Sequence, residues 1–452
     1  MKNLHTLTYS NKKILLPIIH NLKMMIEIEK NPFGLPLDDF FSMAARINKK
    51  RSFLFVSKLL GKHIPINPKL GLLTGFLLAC RYEEIVTNKI SDTRDYLLHT
   101  YHQSKTAFRD DPFIKKEVAS PIIIGFAETA TALGHSFFQA FQQAIFFHTT
   151  RELANELSPI ISFEEEHSHA TSHRCYVDET VLNNDREIIL VDDELTTGKT
   201  AINIIRDIQK KYPRNRYTVV SLLDWRSDEH LTEMKKLEEE LQITIQSVCL
   251  LKGKFTLIED NFDLSIEYAK EDIISYNPTI EYISLENYLH NRLLPLTSTT
   301  QNGRKKREYY LKDTGRFGIE KSDVSDDWIH EVSSMLKEKR IGKTLCIGTG
   351  EFMYIPMKIA SLMGEELSFQ SSTRSPIFPN NEEHYGAKTA ISFANPEDPT
   401  IVNYLYNIEK YMYDDIFLFF ERKVEEKDLQ GLIERLKESY IKKINIVYCS
   451  GR

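Results

Sequence analysis

Two adjacent carboxylates, Asp192 and Asp193, precede a small polar turn, Thr196-Thr197-Gly198-Lys199-Thr200. Paired carboxylates accept hydrogen bonds from vicinal hydroxyls. A turn of free amides at a helix start, with the helix dipole behind it, holds a phosphate dianion. Together the two groups suit a sugar phosphate. The elements that must position them are legible in residues 187–200, EIILVDDELTTGKT. Positions 187–191 are mostly branched and apolar, which predicts a buried parallel strand. Ala201, Ile202, Ile204, Ile205 and Ile208 then carry a helical period. Gly198-Lys199-Thr200 resembles the end of a nucleotide-binding P-loop, but that loop needs a glycine where Asp193 stands, and two carboxylates would repel a bare triphosphate. The bland alternative is a buried strand followed by a polar glycine turn.

A second strand, 121–126 (PIIIGF), runs into Ala127-Glu128-Thr129-Ala130-Thr131-Ala132-Leu133-Gly134. Small residues let backbone amides approach an anion closely; an ordinary strand–helix turn would look similar. Thr149-Thr150-Arg151 closes the next strand, 146–148. Arg151 can grip an anion with both arms of its fork, or form a surface ion pair with Glu152 or Glu156. Residues 163–176, FEEEHSHATSHRCY, hold His167, His169 and His173. His169 and His173 stand four apart, yet no glutamate lies between them as in HExxH, and no CxxC accompanies them. A loop that acts on an anion and a plain polar hairpin both remain open.

The bulk numbers narrow the class. A chain of 452 residues exceeds one ordinary core, so two or three domains are expected. A net charge of −6 gives no electrostatic reason to bind nucleic acid or an anionic membrane. The basic run 304–307 reads as a solvated linker. Five scattered cysteines without CxxC spacing argue for a reducing compartment and against structural zinc. The longest apolar stretch, 72–80, is far too short to span a bilayer, and the N-terminus lacks a signal-peptide layout. A cytoplasmic protein is expected.

Strands alternate with helices through the middle of the chain: strand 217–223, helix 229–241 and strand 243–251 follow the helix that starts at 200. That alternation predicts a parallel α/β sheet with ligands at the strands' carboxyl ends. Boundaries fall at 1–30 (an extension), 31–295 (the first domain), 296–310 (a linker rich in Pro, Ser, Thr, Gly and basic residues) and 311–452 (the second domain).

The 187–200 segment resembles the phosphoribosyl diphosphate (PRPP) signature of type I phosphoribosyltransferases. Residues 371–376, SSTRSP, resemble the TRSP domain, the C-terminal companion of a phosphoribosyltransferase subgroup in bacterial tellurium-resistance and stress gene clusters. NKKRSFLFVSKLLGKH, EEHSHA and TGRFGI (314–319) fit the same resemblance. It implies a parallel-sheet phosphoribosyltransferase core with an N-terminal hood over the base pocket, plus a C-terminal α/β domain. Asp192 and Asp193 would hold the ribose hydroxyls, and Thr196, Thr197, Gly198, Lys199 and Thr200 the 5′-phosphate. Ala127, Glu128, Thr129, Ala130 and Arg151 would form the pyrophosphate loop. Glu166, His167 and His169 would lie on the mobile loop that precedes the PRPP strand and carry its catalytic groups. Mg²⁺ would arrive mainly with PRPP, assisted by Asp192 and Asp193. The implied reaction joins PRPP to an unidentified nitrogen heterocycle, or runs in reverse, in synthesis of a nucleoside-like metabolite. The rival readings are a PRPP-sensing regulator without turnover and a scaffold for enzymes of the same gene cluster. Homodimers are usual in the resembled family.

The two halves echo each other. Gly125 to Arg151 and Gly348 to Arg374 both span 26 residues, and Glu128 and Glu351 hold the same place within them. The next strand of the second half, 415–420, ends in Glu421-Arg422-Lys423, with no acid pair. Either the spacing is coincidence, or the second half is a degenerate repeat whose Gly348, Gly350, Glu351, Thr373 and Arg374 form a second anion site or help complete the first.

Overall fold

The computed structural model describes residues 13–19, 22–47, 52–103, 108–164, 172–259, 276–289, 291–300 and 303–450. Its central sheet has a parallel core in the spatial order Thr244–Glu259, Arg216–Asp224, Ile188–Leu195, Ile122–Gly125, Ile145–His148. Ile122–Gly125 and the first four residues of Ile188–Leu195 are wholly buried, which is why they read as unbroken apolar runs rather than alternating ones. The helices Ala130–Gln139 and Lys199–Lys211 follow these two strands. On Lys199–Lys211, Ala201, Ile204, Ile205 and Ile208 are buried at the expected spacing.

A second sheet is all parallel, in the order Thr279–Ser284, Lys443–Tyr448, Asp415–Phe420, Thr344–Gly348, Leu367–Ser371. Numbered by position within each half, the first four strands of both sheets lie in the same order and direction. The fifth place is filled from downstream in the first sheet and from upstream in the second. The spacing echo therefore coincides with a shared topology.

Three segments differ from expectation. Residues 1–30 are not a featureless extension: Lys13–Ile19 and Leu22–Lys30 form a hairpin that joins the sheet beside Thr244–Glu259. Leu22, Met24, Ile26 and Ile28 point inward on alternate positions. Residues 296–310 are not a linker, because Leu293–Thr299 and Lys305–Leu311 pair as a hairpin, joined by Leu153–Ala154. The basic run thus lies at the mouth of a strand. Nor does the first unit run to 295, since Thr279–Ser284 already belongs to the second sheet.

The units share a core. The helix Pro68–Thr87, started by an Asn67 side chain that accepts from Lys69 N–H, packs on helices of both. A Cβ on Gly75 would lie 2.6 Å from the Ser136–Phe137 backbone, and one on Gly71 would strike Met357. Gly61 and Ile66 hydrogen-bond the edge strand Leu367–Ser371, at 2.7 Å for Ser371 N–H to Gly61 O. His135 stacks on Tyr354 at 3.6 Å between centroids. No helix among the described residues is long and apolar enough to cross a membrane. All five cysteines are free, and burial pushes the thiols of Cys80, Cys175 and Cys249 up to about 12.

Candidate active site

The acid pair sits at the carboxyl end of the central strand Ile188–Leu195. Asp193 N–H donates to Asp192 Oδ1 at 2.9 Å, so the backbone itself fixes one carboxylate. Burial, then the neighbouring Glu194, raises the Asp193 carboxyl above its ordinary value. Gly198 caps the following helix with φ +78°, and Lys199 N–H donates to Thr197 Oγ1 at 3.3 Å. The left-handed backbone at Gly198 is one that glycine adopts readily, and the first amides of a helix have no partner within it. Beneath the turn lies Arg226, which is wholly buried. Its Nε and Nη2 fork onto Asp224 at 2.8 and 2.7 Å, and Nη2 also reaches Ser247 Oγ. A Cβ on Gly198 would stand 3.1 Å from Arg226 Cδ. The turn therefore rests on a pinned cation.

Across from the acids is the hood hairpin, Phe41–Ala45 with Phe53–Ser57. Phe40, Phe55, Ser57 and Leu60 line a cleft with Asp193, Glu194, Leu222 and Leu223. Phe55 is stacked on Trp225 at 4.8 Å, which fixes one wall of that cleft.

The small-residue loop leaves the adjacent strand. Phe126 N–H bonds Val191 O at 3.0 Å, which places residues 126–130 directly beside the acids. Ala127 N–H donates to Thr149 Oγ1 at 2.9 Å, tying this loop to the end of Ile145–His148. The Ala127–Glu128 peptide is cis. Glu128 pairs with Lys62 at 3.2 Å. Burial would raise the Glu128 carboxyl, but Lys62, then Arg374 and Arg151, hold it below its usual value. Burial lowers Lys62 against the pull of Glu128. Arg151 Nε–H donates to His173 Nε2 at 3.3 Å, and His173 Nδ1 lies 3.1 Å from Thr149 Oγ1. Glu152 is taken up by Arg422 at 2.6 Å and Glu156 by the Thr297 amide at 2.8 Å.

The structure thus gathers Asp192, Asp193, Thr196, Thr197, Gly198, Lys199 and Thr200 with Ala127, Glu128, Thr129, Ala130 and Arg151 at neighbouring strand ends. Glu166, His167 and His169 lie outside the described residues. The hairpin on either side of them, Ile161–Glu164 with Ser172–Cys175, touches the site through His173. From the second unit, Glu351 accepts from Thr150 Oγ1 (2.6 Å) and Arg151 N–H (2.9 Å), and its carbonyl accepts from Thr131. Gly348 and Gly350 lie on the same loop, while the Thr373 hydroxyl accepts locally from Ser375 N–H. Where the first unit has its acid pair, the second has Glu421 bound to the buried Arg316 (2.7 Å) and Arg422 bound to Glu152, Glu308 and Glu397. That corner is filled with internal ion pairs.

Sequence reasoning quoted the motifs that hold Lys62, Thr149 and Arg316 without giving these residues a role, and it passed over Arg226. The signal for Lys62 was a lysine–histidine pair directly after an apolar strand and a glycine. Arg226 carries no local pattern.

A parallel α/β sheet thus sets an acid pair, a glycine turn and a small-residue loop at adjacent carboxyl ends, the place where such sheets take their ligands. Residues 40–254 match the family described as phosphoribosyl transferase, and residues 313–436 match the TRSP domain that lies C-terminal to it. The chain thus carries a phosphoribosyltransferase-family region followed by a TRSP domain. Solved structures similar to it include the adenine phosphoribosyl transferase of Trypanosoma brucei, at 11% identity over 52% of this chain and 86% of that one, TM-score 0.30. The orotate phosphoribosyltransferase of Mycobacterium tuberculosis H37Rv is similar at 10% identity over 47% and 90%, TM-score 0.23. A hypoxanthine phosphoribosyltransferase of Staphylococcus aureus is similar at 12% over 37% and 69%, TM-score 0.19. No curated protein matches the chain.

Proposed function

We propose that the protein transfers the phosphoribosyl group of PRPP to a nitrogen heterocycle, or runs the reverse reaction, releasing the base. The observation that carries this reading is the adjacency of the acid pair to the 126–130 loop, through the Phe126–Val191 hydrogen bond. Asp192 and Asp193 accept from the ribose hydroxyls. The amides of 196–200 hold the 5′-phosphate at the start of the Lys199–Lys211 helix. Loop 127–130 with Arg151 holds the pyrophosphate, and the base would stack under Phe40, Phe55 and Leu60, where the present hollow of about 10 Å³ must widen to take it.

The bond from C1 to the pyrophosphate oxygen breaks as the ring nitrogen forms its bond to C1, and positive charge builds on the sugar. The residues contribute position and charge stabilisation. The family resemblance assigns exclusion of water from C1 to the loop that precedes the Ile188–Leu195 strand.

Asp192 and Asp193 offer oxygen donors suited to Mg²⁺, a hard cation that keeps waters and substrate oxygens as its other ligands. Among the described residues no three His, Cys, Asp or Glu side chains converge on a metal position, so these two carboxylates would assist a cation carried by PRPP. Bound there, it would neutralise charge on the departing pyrophosphate. Synthesis of a nucleoside-like metabolite in a bacterial stress or tellurium-resistance system is the setting that the family resemblance suggests.

The test is pyrophosphate release from PRPP and Mg²⁺ with a panel of bases. The doubly substituted Asp192→Asn, Asp193→Asn protein should release almost none. Undiminished release would sink the reading, and tight PRPP binding without turnover on any base would favour a sensor.

A further inference from the structure

The loop read as the pyrophosphate site is shared between the two units. Lys62 and Glu128, with side chains only 1% and 8% exposed, meet at 3.2 Å. Arg374 and Arg151 lie near enough to draw the same carboxylate down electrostatically. Arg374 belongs to the second unit, just past the strand Leu367–Ser371, and its buried Nε has no hydrogen-bond partner among the described residues. Gly350, at φ +54°, brings the second unit's loop so close that a Cβ on it would lie 3.5 Å from Glu128 Oε1. In the opposite direction, Glu351 is tied to Thr150 and to the Arg151 amide. Glu351 thus bonds the first unit's Thr-Arg corner, and Glu128 in turn lies within the electrostatic reach of Arg374 from the second. The arrangement resembles the facing loops of two like subunits, but one chain supplies both sides.

Three cations around Glu128 leave this pocket able to take further negative charge. Arg226 Nη1 and Arg316 Nε are likewise buried without an acceptor among the described residues, but Arg374 is the one of these beside the Lys62–Glu128 pair, where its free donor can serve an incoming anion. Its planar fork is well matched to a diphosphate. We propose that Arg374, together with Lys62, binds the pyrophosphate group in the first unit's site, and that the Glu128 carboxylate holds these cations in place until the pyrophosphate displaces it. The second unit then serves as a built-in partner that completes the site. This inference rests on the phosphoribosyl-transfer reading for the identity of the anion.

The experiment is calorimetry on the full chain with Mg²⁺-pyrophosphate and, separately, with ribose 5-phosphate. Arg374→Gln should weaken pyrophosphate about tenfold or more, the scale of one charge-assisted hydrogen bond, and leave ribose 5-phosphate unchanged. Glu128→Gln should tighten pyrophosphate, because the internal competitor is gone. Arg374→Lys keeps the charge without the fork and should give an intermediate loss; it also serves if the glutamine variant fails to fold. The proposal is overturned if all these proteins bind pyrophosphate within twofold of one another, or if the wild type does not bind it. Failure of the phosphoribosyl reading looks different: ribose 5-phosphate does not bind, while the Arg374 effect on pyrophosphate persists.

Discussion

Replacing Lys62 by methionine isolates the buried pair at the centre of the site. Methionine keeps most of the stem volume but leaves the Glu128 carboxylate, 8% exposed, without the ammonium 3.2 Å away. Removing one partner of a buried pair costs about 3–5 kcal/mol. Arg374 and Arg151 still face Glu128, so about 2–3 kcal/mol of lost stability is expected here. Adding Glu128→Gln removes the uncompensated charge and should recover much of that loss, giving a coupling of about 1.5 kcal/mol or more. The acid limb supplies a second check. Glu128 is held below its usual carboxylate value, so its contribution is complete above the unfolded value near 4.5 and is lost as pH falls through the lower folded value. The gap between wild type and Lys62→Met should therefore narrow in acid. Urea unfolding at pH 7 and pH 4 reads all of these quantities. A Lys62→Met protein within 0.5 kcal/mol of wild type, in order-of-magnitude terms, or a cycle with no coupling, would refute the reasoning.

The remaining predictions concern the turn and buried histidines. Gly198→Ala forces a side chain into the left-handed region, at about 1–2 kcal/mol, against a pinned Arg226; ribose 5-phosphate affinity should fall about tenfold while pyrophosphate affinity stays level. His63 and His148 are drawn down to about 3 and about 4, chiefly by burial and then by Lys62 and Arg316 respectively. The stability they confer is complete above the unfolded value near 6.5 and is lost as pH drops toward those folded values, at about 1.4 kcal/mol per pH unit for each. His148→Asn, which can preserve the bond to Thr149 O, should take away one histidine's share of the slope. An unchanged urea midpoint from pH 7 to pH 5 in the wild type would contradict both assignments.

Much of the first unit was legible because its parallel strands are buried on both faces. Residues 188–191 and 122–125 announce themselves as unbroken apolar runs, and the turn chemistry follows at fixed offsets. The edge hairpins were read poorly. Leu293–Thr299 and Lys305–Leu311 carry Pro, Ser, Thr and Lys because they lie at a periphery, where composition resembles a linker. The alternation in Leu22–Lys30 was a usable signal that the short, mixed N-terminal composition obscured.

The amino-acid sequence alone determined the strand, the acid pair, the glycine-capped helix and the equal spacing of the two halves. These depend on interactions within about twenty residues, where periodicity and turn geometry suffice. Only the tertiary structure decided that Lys62, Glu128, Arg151 and Arg374 meet, although Lys62 and Arg374 are 312 positions apart. Ion pairing across such a separation leaves no periodic trace in the chain. It arises when the Pro68–Thr87 helix packs through Gly71 and Gly75 against both units and closes them onto one another.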